Sequence, residues 1–126
     1  MSGGETLRQM IIARLDDQVP AFEGRVYDQA LDSTPYPYAT LGASYGTPDS
    51  SQGIRVRART VQIDIWTDSD KGTCEALTDA VSDALDGWYD TSRLKMPPLH
   101  VSLTRVMDDP RGSFHGIVQV EGRVEG

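Results

Sequence analysis

At 126 residues the chain has the size of one ordinary domain, with no room for a second core of comparable size. Its 38% apolar and 25% charged residues exclude a disordered chain, and a formal charge of −7 argues against wrapping the outside of DNA, which takes a broad basic surface to displace counterions. A single cysteine, Cys74, excludes an intrachain disulfide framework and points to a reducing cytoplasm. No stretch approaches the ~18 apolar residues a membrane span requires, and residues 1–5 lack a basic segment ahead of an apolar one, so neither insertion nor export is predicted.

Leu7, Met10, Ile11 and Leu15 recur at helical spacing over residues 6–18, with Glu5, Arg8, Gln9, Arg14 and Asp16 on the other face, which predicts an amphipathic first helix. Pro20 and Gly24 end it. A short extended piece at Arg25-Val26-Tyr27 follows, then the turn-rich Asp32-Ser33-Thr34-Pro35. Aromatic residues and Thr40 favour a strand over residues 36–43, beginning at Pro37 or lying at an edge there, because proline donates no ladder hydrogen bond. Residues 46–53 read as a polar loop.

Beyond that loop the alternation changes phase. Ile54, Val56 and Ala58 are apolar at even positions, whereas Val61, Ile63 and Ile65 are apolar at odd ones. A period of two cannot do this unbroken, so the pattern predicts a device near Arg59-Thr60: a β-bulge, or a strand leaving one packing environment for another. The odd set belongs to the core, and the even set needs cover that a neighbouring subunit could supply. Residues 45–59 are therefore expected to form a projecting β-arm.

Asp68, Ser69 and Asp70 supply caps for a second helix, on which Cys74, Leu77, Val81, Ala84, Leu85 and Trp88 form an apolar stripe opposite Glu75, Thr78, Asp79, Ser82, Asp83 and Asp86. Gly87 and Pro97-Pro98 terminate it. Two strands follow, at 99–107 and 114–124, joined by Asp109-Pro110-Arg111-Gly112, which matches a type I turn; Phe114, Gly116, Val118, Val120, Gly122 and Val124 share one face. The predicted architecture is one α+β domain over residues 1–126, a mainly antiparallel sheet with two helices covering one face.

The candidates for chemistry each have a plainer reading. His100 and His115 face away from the apolar side of their strands, but a metal pair would need a third ligand that nothing at ligand spacing supplies. Asp68-Ser69-Asp70 departs from a calcium loop at Gly72 and at the closing position. Cys74 lies on the apolar helix face and reads as a core thiol. No phosphate-binding glycine motif or nucleophile elbow occurs. No catalytic residue, cofactor or metal is predicted. The concentrated basic feature is Arg55, Arg57 and Arg59, which alternation places on one side of an extended arm. They face solvent or pair with carboxylates of an adjacent subunit, with DNA contact as the third reading. Tyr36, Tyr38 and Tyr45 are sheet-face packing or interface anchors. The expected subunit or tube interface comprises Ile54, Arg55, Val56, Arg57, Arg59 and Tyr45.

Residues 26–124 resemble the phage tail-terminator and tail-completion family. The likeness is carried by Val26-Tyr27 with Tyr36-Pro37-Tyr38-Ala39-Thr40-Leu41-Gly42, by Thr60-Val61-Gln62-Ile63-Asp64-Ile65-Trp66, and by the helix from Cys74-Glu75-Ala76-Leu77 through Leu85. The resemblance implies a non-enzymatic virion protein, assembled in the host cytoplasm as a hexameric ring. That ring would cap the head-proximal end of the tail tube, halt its growth and meet the head connector. Its partners would be other copies of itself, the major tail tube protein, the connector or stopper protein, and genome DNA passing without sequence-specific binding. Another neck component, such as a stopper or adaptor, would share these features, and a small metal- or ligand-binding enzyme domain using His100, His115 or Cys74 is the reading from a different class.

Overall fold

The computed structural model describes residues 2–30, 33–48 and 56–125. Helix α1 (Gly3–Gln18) begins three residues before the apolar periodicity, because Ser2 caps it: its hydroxyl accepts from the Glu5 amide at 3.1 Å, and its carbonyl accepts from the Thr6 amide. The cap offsets the poor helix propensity of Gly3 and Gly4. Leu7, Met10, Ile11 and Leu15 are all buried; removing side chains of this size from water contributes roughly 1.5–3 kcal/mol each. A single turn of 3-10 helix at Pro20–Phe22 buries Phe22. Glu23 (φ 50°) and Gly24 (φ 78°) then take left-handed backbone and reverse the chain.

Five strands follow in one sheet: β1 (Val26–Tyr27), β2 (Tyr38–Pro48), β3 (Val56–Thr67), and, after helix α2 (Lys71–Leu85), β4 (His100–Asp108) and β5 (Phe114–Glu125). Their spatial order is β1-β2-β3-β5-β4, with β1 parallel to β2 and every other pair antiparallel. Both helices lie on one face, as the pattern predicted. The core is the seam between them, where Val61, Ile63, Ile65, Val118, Val120 and Val124 meet the apolar sides of α1 and α2. α2 is capped by Asp70, whose carboxylate accepts from the Thr73 amide at 2.6 Å.

Several expectations need correction. The polar loop is shorter than residues 46–53, because β2 runs through Pro48 and pairs with β3 as Tyr45↔Thr60, Gly46↔Arg59 and Thr47↔Ala58. No bulge occurs at Arg59-Thr60: β3 pairs with β5 without interruption from Val56↔Glu125 to Thr67↔Phe114. The bulge sits in β2, between Leu41 and Ser44. The phase change arises instead from a change of environment, with Val61, Ile63 and Ile65 under the helices and Ala58 on the opposite face. Thr78, assigned to the polar side of α2, is buried, since α2 crosses β5 at Gly116, where a Cβ would collide with the Thr78 hydroxyl and touch Cys74 Sγ at 3.4 Å.

The bulge exposes carbonyls that α1 satisfies. Arg8 donates to Leu41 O at 3.1 Å and to Gly42 O at 3.4 Å, and is held by Asp28 at 2.9 Å. Arg14 performs a similar role at the end of α2, donating to Ala84 O at 3.0 Å while its guanidinium stands 5.3 Å from the Trp88 ring centroid. A cation at a helix C-terminus also suits the dipole.

Candidate functional site

Residues that share a face of an antiparallel sheet are those directly paired, so the register maps the side of the sheet that the helices leave uncovered. Tyr38, Trp66, His115 and Met107 form one row across β2, β3, β5 and β4. Thr40, Asp64, Ile117 and Arg105 form the next, and Tyr45, Thr60, Glu121 and His100 a row further along. The first row is aromatic and ordered by contact. The Trp66 ring stacks on His115 with centroids 4.0 Å apart and on Tyr38 at 6.3 Å, and Tyr36 lies 5.5 Å from Tyr38. Beneath it, Asp64 Oδ1 contacts His115 Nε2 at 2.7 Å and accepts from Gln62 Nε2 at 2.8 Å. Burial and then the neighbouring Tyr36 push the Tyr38 hydroxyl above its ordinary range.

At the far end lies a groove of about 470 Å³, lined by Tyr45, Arg59, Thr60, Pro98, His100 and Glu121 among others. Tyr45 is 60% exposed there. Arg57 and Arg59 point to the helix side of β3, as alternation required. Arg57 is exposed, while Arg59 is half-buried against two glycines. A Cβ on Gly4 would stand 3.0 Å from its Nη1, and one on Gly46 would stand 3.2 Å from its Cδ. The Arg59 guanidinium thus lies at the first turn of α1, where the helix dipole is positive. Its Nε is buried without a hydrogen-bond partner, and among the described residues it forms no ion pair. Val56 opens β3, paired with Glu125; Ile54 and Arg55 lie outside the described residues.

The two histidines do not converge. His100 pairs with Glu121 and His115 with Met107, at opposite ends of the β4–β5 ladder, and among the described residues no group of three or more His, Cys, Asp or Glu could hold a metal ion. Cys74 is fully buried and burial pushes its thiol pKa up, which leaves a neutral core thiol. The reading of the sequence missed the aromatic row and the Asp64–His115 contact. Its signal was present in the even-numbered Asp64 and Trp66 and the odd-numbered His115, but only the β3–β5 register brings these together. No described helix is long and apolar enough to cross a membrane.

A family model described as tail completion protein gp17 matches residues 9–125. The chain belongs to that family. Membership gives this tail-completion protein a structural role in a phage tail. Two solved structures share its fold. One is a chain from the virion of a native gene transfer agent particle, at 24% identity and a TM-score of 0.82, covering 95% of each chain. The other is the gp17 protein of bacteriophage SPP1, at 22% identity and a TM-score of 0.59, covering 97% of this chain and 89% of that one. No curated protein matches significantly.

Proposed function

We propose that the protein forms a ring, hexameric and built from copies of itself, at the head-proximal end of a tail tube, where it stops tube growth and offers its other surface to the head connector. The observation that carries this is the tail-completion family match over residues 9–125. The shared fold with a gene transfer agent virion chain and a phage gp17 protein supports it. The function is binding alone, with no catalytic step.

Within that reading, the segment 45–59 is the contact with a neighbouring subunit or the tube. Tyr45 presents an amphipathic ring on the uncovered side of the sheet, and on the helix side Arg57 presents an exposed cation and Arg59 a guanidinium with no ion pair among the described residues; the reading extends to Ile54, Arg55 and Val56. Guanidinium groups in an acidic protein suit carboxylates of the next copy. The net charge of −7 suits a lumen through which DNA passes without sticking.

The test is to mix the protein with purified tail tubes and image where it binds. Attachment at one tube end with elongation stopped is the expected result. Binding to the head connector while ignoring tubes would replace the terminator role with that of a stopper or adaptor. Replacing Arg55, Arg57 and Arg59 by Ser should abolish attachment, and intact joining by that variant would remove the arm from the interface.

A further inference from the structure

Arg59 occupies a built seat that holds no anion. A Cβ on Gly4 would stand 3.0, 3.1 and 3.4 Å from Nη1, Cζ and Nη2 of its guanidinium, and one on Gly46 would stand 3.2 Å from its Cδ and 3.3 Å from Nη1. The guanidinium therefore lies broadside against the first turn of α1, between two positions where any larger residue would press on it. Glycine is a poor helix former, so Gly4 serves the arginine rather than the helix. The seat also sets a cation against the positive end of the α1 dipole, and Arg57, exposed two residues along the same side of β3, adds a second cation. The carboxylate of that turn, Glu5, is exposed and pairs with neither arginine, Asp28 is held by Arg8, and Glu121 lies on the opposite face of the sheet, paired with Thr60. Two guanidiniums and a helix N-terminus against one carboxylate leave this corner of the helix side positive.

The opposite frustration lies on α2. Glu75, Asp79 and Asp83 recur at four-residue spacing on its outer side, all exposed, and like charges at this spacing repel along a helix. The nearby cations are engaged elsewhere. Lys71, which opens the same line, is held by Asp108 at 3.0 Å, and Arg14 donates to Ala84 O and covers the Trp88 ring. Among the described residues none of the three carboxylates forms an ion pair. The two sets of charges also match in spacing. Arg57 and Arg59 stand about 7 Å apart along the strand at roughly 3.4 Å per residue, and carboxylates four residues apart stand about 6 Å along the helix at roughly 1.5 Å per residue.

We infer that the Arg57–Arg59 pair receives neighbouring carboxylates of the Glu75-Asp79-Asp83 stripe from a second copy of this chain. The contact would give the seated guanidinium its missing anion and relieve the repulsion along α2 at once. A second copy suits the seat better than a nucleic-acid backbone, because the formal charge of −7 repels a polyanion at long range, whereas each copy already carries the carboxylates. Each copy carries both halves, so the contact repeats from copy to copy. The inference rests on the ring reading above and names the acidic half of its subunit contact.

Charge exchange and cross-linking test it together, on the free protein over a concentration series and on protein bound to purified tail tubes. Arg57→Glu, Asp79→Arg and Arg59→Gln, which keeps a polar side chain in the seat, should each weaken association about tenfold, with thermal melts showing that each variant folds. The double variant Arg57→Glu/Asp79→Arg should recover most of the loss. Arg57→Cys and Asp79→Cys proteins mixed with a short flexible bismaleimide should give a covalent dimer, and at least fivefold less when Asp17→Cys replaces Asp79→Cys; native Cys74 stays in place because it is fully buried. Assemblies that are indifferent to all three single changes and give no mixed cross-link would overturn the docking and leave the ring reading intact. Weakening that the double variant does not recover, again without the cross-link, would assign the arginines to DNA or another outside anion and overturn the docking too. Wild-type protein that neither associates nor binds tubes would overturn the ring reading itself, and the docking with it.

Discussion

Asp64 on β3 and His115 on β5 stand 2.7 Å apart on the uncovered side of the sheet, and the same carboxylate oxygen accepts from Gln62. One oxygen therefore organises two side chains, and His115 in turn supports the Trp66 ring. Asp64→Ala should destabilise the fold by about 1–3 kcal/mol, since it leaves two half-buried polar groups without their acceptor. A denaturant midpoint checks this. A double-mutant cycle with His115→Ala should show coupling, and strict additivity would mean that the contact does not form.

Arg8 ties α1 to the β2 bulge through two carbonyls and to Asp28 through an ion pair. Arg8→Ala should cost about 1–3 kcal/mol by orphaning those acceptors. Arg8→Lys should recover little of it, because an ammonium lacks the planar fork that reaches several acceptors at once. Amide exchange across β2 and β3 near the bulge is the local readout, with faster exchange expected in both variants.

Gly116 is where α2 rests on β5. Gly116→Ala should destabilise by about 1–3 kcal/mol through overpacking, as its methyl group would strike the Thr78 hydroxyl. Combining it with Thr78→Ala should return part of the loss, because the colliding oxygen is removed. Thermal unfolding of the two single variants and the pair decides it; equal losses in Gly116→Ala and the pair would show that the clash lies with the backbone instead.

Cys74 sets an alkaline limit. Its folded pKa is raised by burial above the ordinary value of 9.0, so the unfolded chain releases its proton first as pH rises. The stability from the neutral buried thiol is fully present below the unfolded value and is lost above it, toward the folded value. Unfolding free energy should therefore decline above about pH 9, and Cys74→Ala should show a shallower decline over that range. Iodoacetamide should leave the native protein unmodified and label it only on unfolding.

Much of this fold was legible in local pattern. The stripe of Cys74, Leu77, Val81, Ala84 and Leu85 placed α2, and Asp109-Pro110-Arg111-Gly112 forms the expected turn, with the Gly112 amide donating to Asp109 O at 2.9 Å. The Arg111 amide and then its guanidinium hold the Asp109 carboxyl below the ordinary range. What local pattern could not carry was partnership between distant segments. The phase change in β3 invited a bulge, but its cause is where the helices stop covering the sheet, which only the tertiary arrangement fixes. Ser2 was overlooked because Gly3 and Gly4 are weak helix formers, although the cap decides where α1 starts. Among the expected interface residues, alternation correctly put Arg57 and Arg59 on one side. It could not reveal that Arg59 rests against Gly4 of a helix more than fifty residues away in the chain.

The sheet order also dictates a sequence of events in synthesis. β5 follows the other four strands in chain order and so leaves the ribosome after them, yet it lies between β3 and β4 and pairs with both. A nascent chain that has made only the first four strands can zip β2 to β3 and lay down both helices, but β4 has no neighbour and α2 has no surface at Gly116 to rest on. The sheet is therefore complete only once residues 114–125 lie in the gap between β3 and β4.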